Sequence, residues 1–470
     1  MAIGTNLAIE TGSEPSKFDD DGRIKRTGNV VTATGHIITA VIGSGVLSLA
    51  WAIAQLGWVI GLIALVAFSI ITWFTSMLLA DCYRSSDGTR NYSYKNVVEA
   101  HLGGIRSHFC AIAQRSNIIG SSIGYTITAS ISMVAMKRSI CFHKHGHDVG
   151  CHVSNNPSIL TFGLIQIILS QIPNYEKLTW LSLVAAVMSF AYSTIGLSLS
   201  MAKIIGGGHV ETSLTGIIGR NNISSLDKVW KVSNALGNIA FAYAFSSLLI
   251  EIQDTVRSGV PENKVMKKAA SIGISISTVF YMLCGILGYA AFGNNAPGNF
   301  LTGFGFYEPF WLVSFANLCI VVHLFGAYQV FCQPFFTVVE DWSKEISKGS
   351  KFITAEYKIR LPFLGNFNLN LFRLVWRTCF VACTTILAML LPFFNDILGL
   401  IGAITFWPLA VYFPIEMYLA RMKIRRLSWT WIWMQMVSGG CLIVSLLAAA
   451  GSIDGLTKSV RLFKPFHSVS

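Results

Sequence analysis

The chain has 470 residues, 53% of them hydrophobic and only 12% charged, where soluble domains carry about 25% charged residues. Its mean hydropathy is +0.56. These values exclude an ordinary soluble domain. The net charge of +12 is spread between apolar runs rather than gathered into a nucleic-acid patch, so the expected class is an all-α polytopic membrane protein.

In chain order, residues 1–26 are polar, contain Asp19, Asp20 and Asp21, and lack the apolar core of a cleaved leader. They are expected to form a disordered tail, with 27–470 as one transmembrane domain. A window of about 19 residues marks eleven spans. They lie near 29–56, 58–82, 107–136, 158–173, 177–202, 230–254, 265–292, 307–340, 371–391, 393–420 and 429–452. Tyr94 to Gly104 reads as a short interfacial helix.

The first span contains Ile42, Gly43, Ser44, Gly45 and Val46. Glycine in a helix interior costs roughly 1 kcal/mol relative to alanine, and freed backbone groups are tolerated at membrane depth only where they line a protein cavity. The pattern predicts a broken helix whose amide groups hold an anion; a glycine-packed helix crossing is the alternative. In the third span Asn117, Ser121, Tyr125, Thr128 and Ser132 share one helical face. They either line the cavity, Asn117, Ser121 and Tyr125 foremost, or join helices by hydrogen bonds. Cys141 and Cys151 bracket a polar loop and are a candidate disulfide. His143, His145, His147 and His152 crowd that loop with irregular spacing, which favours a solvated loop over a zinc site. Asn222-Ile223-Ser224 is a candidate glycosylation sequon, and Asn91-Tyr92-Ser93 is one that would face the cytoplasm.

The sixth span carries a second small-residue and aromatic interruption, Ala242-Tyr243-Ala244-Phe245-Ser246. The first and sixth spans open two five-span halves, near 29–202 and 230–420, and an odd number of spans makes the halves inverted. The helix near 429–452 is an addition. Paired interruptions of this kind point to a transporter's central site. Lys and Arg gather in the tail and at even-numbered junctions, as in Lys264, Lys267, Lys268 and Arg421, Lys423, Arg425, Arg426. That asymmetry puts the N-terminus in the cytoplasm and the C-terminus outside. Asp81, Glu251, Asp254, Glu340 and Glu416 lie toward the same ends of their spans, so no carboxylate-rich cation site stands at mid-membrane. His36 and His323 fall inside spans and are the proton-coupling candidates; each could instead be a neutral histidine holding helices together.

These residues also carry a family likeness. RTGNVVTATGHIITAVIGSGVLSLAWAIAQLGW (26–58), SNIIGSSIGYTITASISM (116–133), LGNIAFAYAFSSLLIEIQDT (236–255) and HLFGAYQVFCQP (323–334) closely resemble plant amino acid permeases of the amino acid/auxin permease group. The likeness runs from about Arg26 through the tenth span. It implies a five-plus-five inverted repeat similar to the bacterial leucine transporter, with broken first and sixth helices. It implies proton-coupled import of amino acids across the plasma membrane, with no cofactor beyond the proton. Backbone groups from Ile42 to Val46 would hold the substrate carboxylate, and Ala242 to Ser246, including Tyr243 and Phe245, would complete the pocket. His36 and His323 match histidines of the family motifs. Asn299 departs from the acidic residue expected there. The partners implied are an amino acid and the lipid bilayer, not nucleic acid, with oligomeric state open. A carrier of auxin or another small carboxylate on the same fold, and an amino acid receptor that does not transport, are the competing readings. No catalytic constellation suggests an enzyme.

Overall fold

The computed structural model describes residues 18–23, 25–146, 148, 150–172, 179–305, 310–347, 349–361 and 365–462. Residues 1–17 of the tail and His147 of the histidine loop therefore lie outside the described residues. Among the described residues nine helical stretches are long and apolar enough to cross a membrane, and two further apolar helices, Val30–Val41 and Asn156–Ser170, are shorter; they map onto the eleven expected spans as follows. The first is α1 (Val30–Val41) and a 3-10 turn (Ser44–Ser48) leading into α2 (Leu49–Asp81). Gly57, at φ +78°, divides α2 into the end of the first span and the whole second span. The interfacial helix α3 (Tyr94–Leu102) precedes α4 (Gly104–His145), α5 (Asn156–Ser170) and α6 (Thr179–Ile205), the third to fifth spans. The sixth consists of α7 (Ser225–Ala242) and α8 (Leu249–Asp254), and α9 (Glu262–Phe292) is the seventh. α10 (Phe310–Ile346) is the eighth, followed by the short α11 (Lys351–Thr354). The ninth is α12 (Leu371–Leu390) and the tenth is α13 (Phe394–Thr405) with α14 (Phe413–Arg421), joined by a π-helical segment around Pro408. The eleventh is α15 (Trp429–Leu462).

Packing obeys an exchange of the two halves. The second span lies along the seventh and the third along the eighth, each beside its own counterpart, as the fourth lies beside the ninth. The fifth packs on the eighth just as the tenth packs on the third, and the first meets the fifth as the sixth meets the tenth. The inverted repeat is thus visible in the contacts themselves. Close approach between the sixth and tenth spans rests on small residues: a methyl on Gly237 would lie 2.5 Å from the Gly399 carbonyl. The eleventh span lies against α7 and α13.

The helical class stands, with one small addition and one expectation changed. β1 (Glu356–Leu361) pairs antiparallel with β2 (Gly365–Asn370) between the eighth and ninth spans. The alternating run Tyr357-Lys358-Ile359-Arg360-Leu361 is a strand period, which a search for apolar spans passes over. The tail is also bound to the body before residue 26, where disorder was expected. Arg26, its side chain 7% exposed, pairs with Asp19 (3.1 Å), Asp21 (2.7 Å) and Asp254 (2.9 Å) at the end of α8. Asp20 meets Arg84 (3.2 Å) and Arg90 (2.9 Å), and both arginines reach Glu262 of α9. The three aspartates that made this stretch look solvated are the partners of buried arginines. Outside the membrane, the Arg26 guanidinium holds the Asp21 carboxyl well below the usual carboxylate range by hydrogen bonding to it.

Candidate functional site

The first helix ends because its chain runs out of regular backbone at Ile42 (ψ 81°) and Gly43 (φ −122°, ψ −145°). The Gly43 N–H folds back to the Val41 carbonyl at 2.8 Å. The 3-10 turn then begins at Ser44, so its opening N–H groups have no partner within it. All five residues of this turn are buried. The sixth span breaks at the same depth without a glycine. Tyr243 leaves helical geometry at φ −97°, ψ 3°, Ala244 donates to the Phe241 carbonyl (3.1 Å) and Phe245 to the Tyr243 carbonyl (3.0 Å), before Ser246–Leu248 resumes as 3-10.

The two breaks touch. A methyl on Gly45 would lie 2.8 Å from the Ala242 Cα and 2.9 Å from its Cβ. Beside this contact lies a small cavity of about 10 Å³, room for roughly one water. Of the residues predicted, Gly43, Ser44, Gly45, Asn117, Ser121, Tyr125 and Ala242 line it. Asn117 donates to the Ser247 hydroxyl at 3.0 Å, and Ser121 to the Asn117 side-chain oxygen at 3.4 Å, tying the third span to the second break. The hydroxyls of Ser44 and Ser246 are buried with no hydrogen-bond partner among the described residues.

Other predicted residues are near but not in the cavity wall. Ile42, Val46 and Phe245 are buried as packing, and Tyr243 turns toward Tyr281 and Thr278. Thr128 bonds back to the Gly124 carbonyl of its own helix; it is Asn117 that serves both readings, lining the cavity and bonding across to Ser247. Ala40, Val41, Phe241, Ala244 and Phe331 complete the wall, Phe331 meeting Tyr125 edge to face at 5.6 Å. Phe331 stands in the matched segment of the eighth span, but one phenylalanine in an apolar run carries no signal.

Three further residues hold the breaks and were not foreseen. Tyr281 of α9 places its hydroxyl between the carbonyls of Val41 and Ala242, 2.9 Å from the latter, so one group serves both breaks. Ser189 and Tyr192 of α6 donate to the carbonyls of Ile42 (2.8 Å) and Gly43 (3.0 Å). His323 joins this set. Its Nδ1 is 2.9 Å from the Ala185 carbonyl and 2.8 Å from Ser189. A carbonyl can only accept, so Nδ1 carries the proton and the bare nitrogen of the neutral ring is Nε2. Nε2 is buried, has no hydrogen-bond partner among the described residues, and faces Gly43. His36 is elsewhere: it lines a second cavity with Glu251, on the tail side of the breaks.

Away from the cavity, Cys141 and Cys151 are bonded to each other. No group of three His, Cys, Asp or Glu side chains forms a metal site among the described residues. Asn222 is exposed in the turn before α7, whereas Asn91 is buried and donates to the Tyr83 carbonyl at 2.8 Å. Asn299 caps a 3-10 turn through the Leu301 N–H (3.1 Å), a bond an aspartate would also make.

Comparison with known proteins agrees with this architecture. The family described as "Transmembrane amino acid transporter protein" matches residues 26–458. Amino acid permease 6 of Arabidopsis thaliana is 61% identical over 98% of this chain and 96% of its own length. Amino acid permease 1 of the same plant is 58% identical over the same shares. Among solved structures, MhsT in complex with L-phenylalanine covers 92% of this chain and 100% of its own at 11% identity and TM-score 0.56. Mhp1, a nucleobase-cation-symport-1 family transporter, covers 94% and 95% at 12% identity and TM-score 0.55. Both share the fold of this chain. On these matches the chain belongs to the transmembrane amino acid transporter family, as a plant-type amino acid permease.

Proposed function

We propose that this protein imports amino acids across the plasma membrane together with protons, by alternating access, with its N-terminus in the cytoplasm and its C-terminus outside. The observation that carries the reading is the pair of helix breaks meeting at Gly45 and Ala242 around a cavity lined by Ser44, Asn117 and Tyr125. Relatives named amino acid permeases support the substrate class. The excess of Lys and Arg on the tail side supports the orientation.

The substrate carboxylate binds the free N–H groups that open the turn at Ser44, assisted by the Ser44 hydroxyl. The ammonium group lies toward the carbonyl-rich second break at Ala242 to Ser246. Phe241, Phe331 and Tyr125 surround the side chain. No charged side chain among the described residues lines the cavity, so a charged substrate side chain would be desolvated without a partner, and neutral amino acids are favoured. The cavity in this conformation is far smaller than an amino acid, so the halves must part for loading. A proton arriving at His323 Nε2 would sit against Gly43, beside the carboxylate site, and link ion and substrate through the first break.

Currents in voltage-clamped cells expressing the protein test this reading, with individual amino acids added at acidic and neutral external pH and with sodium present or replaced. Inward current with neutral amino acids, enhanced by acid and indifferent to sodium, is expected. Sodium dependence overturns the coupling. Absence of both current and labelled uptake at confirmed surface expression overturns transport.

A further inference from the structure

The second cavity lies where α1, α8 and α10 converge, walled by His36 and Thr39 from α1, Glu251 from α8, and Val330 and Pro334 from α10. It is as small as the first, about 10 Å³, room for roughly one water. Glu251 lines it with an under-satisfied carboxylate: Oε1 takes a long 3.4 Å hydrogen bond from the Tyr94 N–H, and Oε2 is buried without a partner among the described residues. His36, half-buried on α1, lines the same cavity as Glu251. The remaining titratable groups around Glu251 do not neutralise it. Tyr94 of α3 donates its hydroxyl to the Leu409 carbonyl, Cys110 of α4 is a buried thiol, and Asp254 along α8 is taken up by Arg26 and Tyr83.

We propose that Glu251 and His36 together form a binding site for one transported proton, on the tail side of the substrate cavity and separate from His323. This rests on the proton coupling proposed above. A carboxylate alone in such a cavity is costly, and one proton removes the cost, either on the carboxyl or as an imidazolium–carboxylate pair. The two residues sit on opposite lips of the moving parts, α1 ending at the first break and α8 beginning just after the second. With the proton bound, the lips close around a neutral cavity. When the proton leaves to the tail side, the bare carboxylate draws in water and parts α1 from α8. The proton entering from the far side is thus the one released with the substrate, and no other species is consumed.

The test uses the full chain in proteoliposomes, a pH-sensitive dye, and as probe the neutral amino acid giving the largest wild-type current. Glu251→Gln, fixed in the neutral state, is expected to keep exchange of labelled for unlabelled probe across the bilayer. Its accumulation under an acid-outside gradient is expected to fall about tenfold or more, within the usual range of coupling between two sites, with no dye signal. His36→Gln is expected to exchange normally and to shift the pH of half-maximal uptake by about one unit. Accumulation and proton entry at wild-type level in Glu251→Gln would overturn the site. If that variant loses exchange as well, His36→Gln decides, and an unshifted pH profile there overturns the pairing. Failure of the underlying reading shows separately, as a wild-type protein that moves the probe without proton entry.

Discussion

The two helix breaks occupy equivalent places in the two halves, yet they are made differently. The first is written locally, since Gly43 gives the chain its departure and Gly45 lets the second break approach. The second has no glycine between Ala242 and Ser246 and is opened by its surroundings. Tyr281 holds the Ala242 carbonyl out of the helix, Tyr243 is drawn toward Thr278, and Asn238 donates to the Asn395 carbonyl at 2.9 Å one turn before the break. A break encoded in backbone freedom survives loss of its neighbours better than one imposed by them. The first should therefore fail through steric change and the second through loss of hydrogen bonds.

The largest effect expected is at the contact between them. Gly45→Ala puts a methyl into Ala242 backbone, which cannot yield as a flexible side chain would. Labelled amino acid uptake, normalised to surface protein, should be abolished. Gly43→Ala is the control that sharpens this, because the nearest atom to the added methyl is His323 Nε2 at 3.7 Å, an ordinary contact. Measurable uptake should remain, and equal loss in both variants would refute a steric distinction.

Next comes Tyr281→Phe, which leaves two buried carbonyls sharing no donor. An unsatisfied buried group costs about 1–3 kcal/mol. Thermal stability in detergent should fall and uptake should drop severalfold, with Gly43 and Gly45 intact. Ser189→Ala, which touches only the first break, should cost less, because Tyr192 still reaches the Ile42 carbonyl (3.4 Å) and the Gly43 carbonyl. Equal costs for the two variants would erase the difference drawn between the breaks.

The smallest effect concerns the ion pairs that fasten the tail to the end of the second broken helix. Arg26→Gln should loosen that end only modestly, since Asp254 keeps the Tyr83 hydroxyl at 2.6 Å. Its pH dependence follows from Asp21, whose carboxyl is depressed by Arg26. A depressed carboxyl contributes stability above its unfolded pKa, about 3.9, and loses it as pH falls from there through the folded value. The difference in melting temperature between wild type and Arg26→Gln should thus be level from about pH 5 to pH 8 and shrink only in stronger acid.

The membrane class, the eleven spans, the first break and the polar face of the third span were all legible as composition and period. Each is a property of one segment meeting lipid or water, so the segment alone carries the signal. His36 and His323 show where that reading stops. Both lie inside apolar helices, and sequence offered them the same two roles, proton coupling or holding helices together. The fold separates them, His323 to the carbonyl network behind Gly43 and His36 to a cavity with Glu251. Glu251 itself read as a residue near a span end. Only the convergence of α1, α8 and α10, three elements distant in the chain, leaves its oxygen bare. In the same way, the aspartates of the tail read as solvated until Arg26, Arg84 and Arg90 were placed around them. The sequence by itself determined which segments cross the bilayer and where the first must open, because hydrophobic length and glycine act locally. Tertiary structure alone decided which polar groups face one another across the breaks, because that depends on helix rotation and on partners hundreds of residues away.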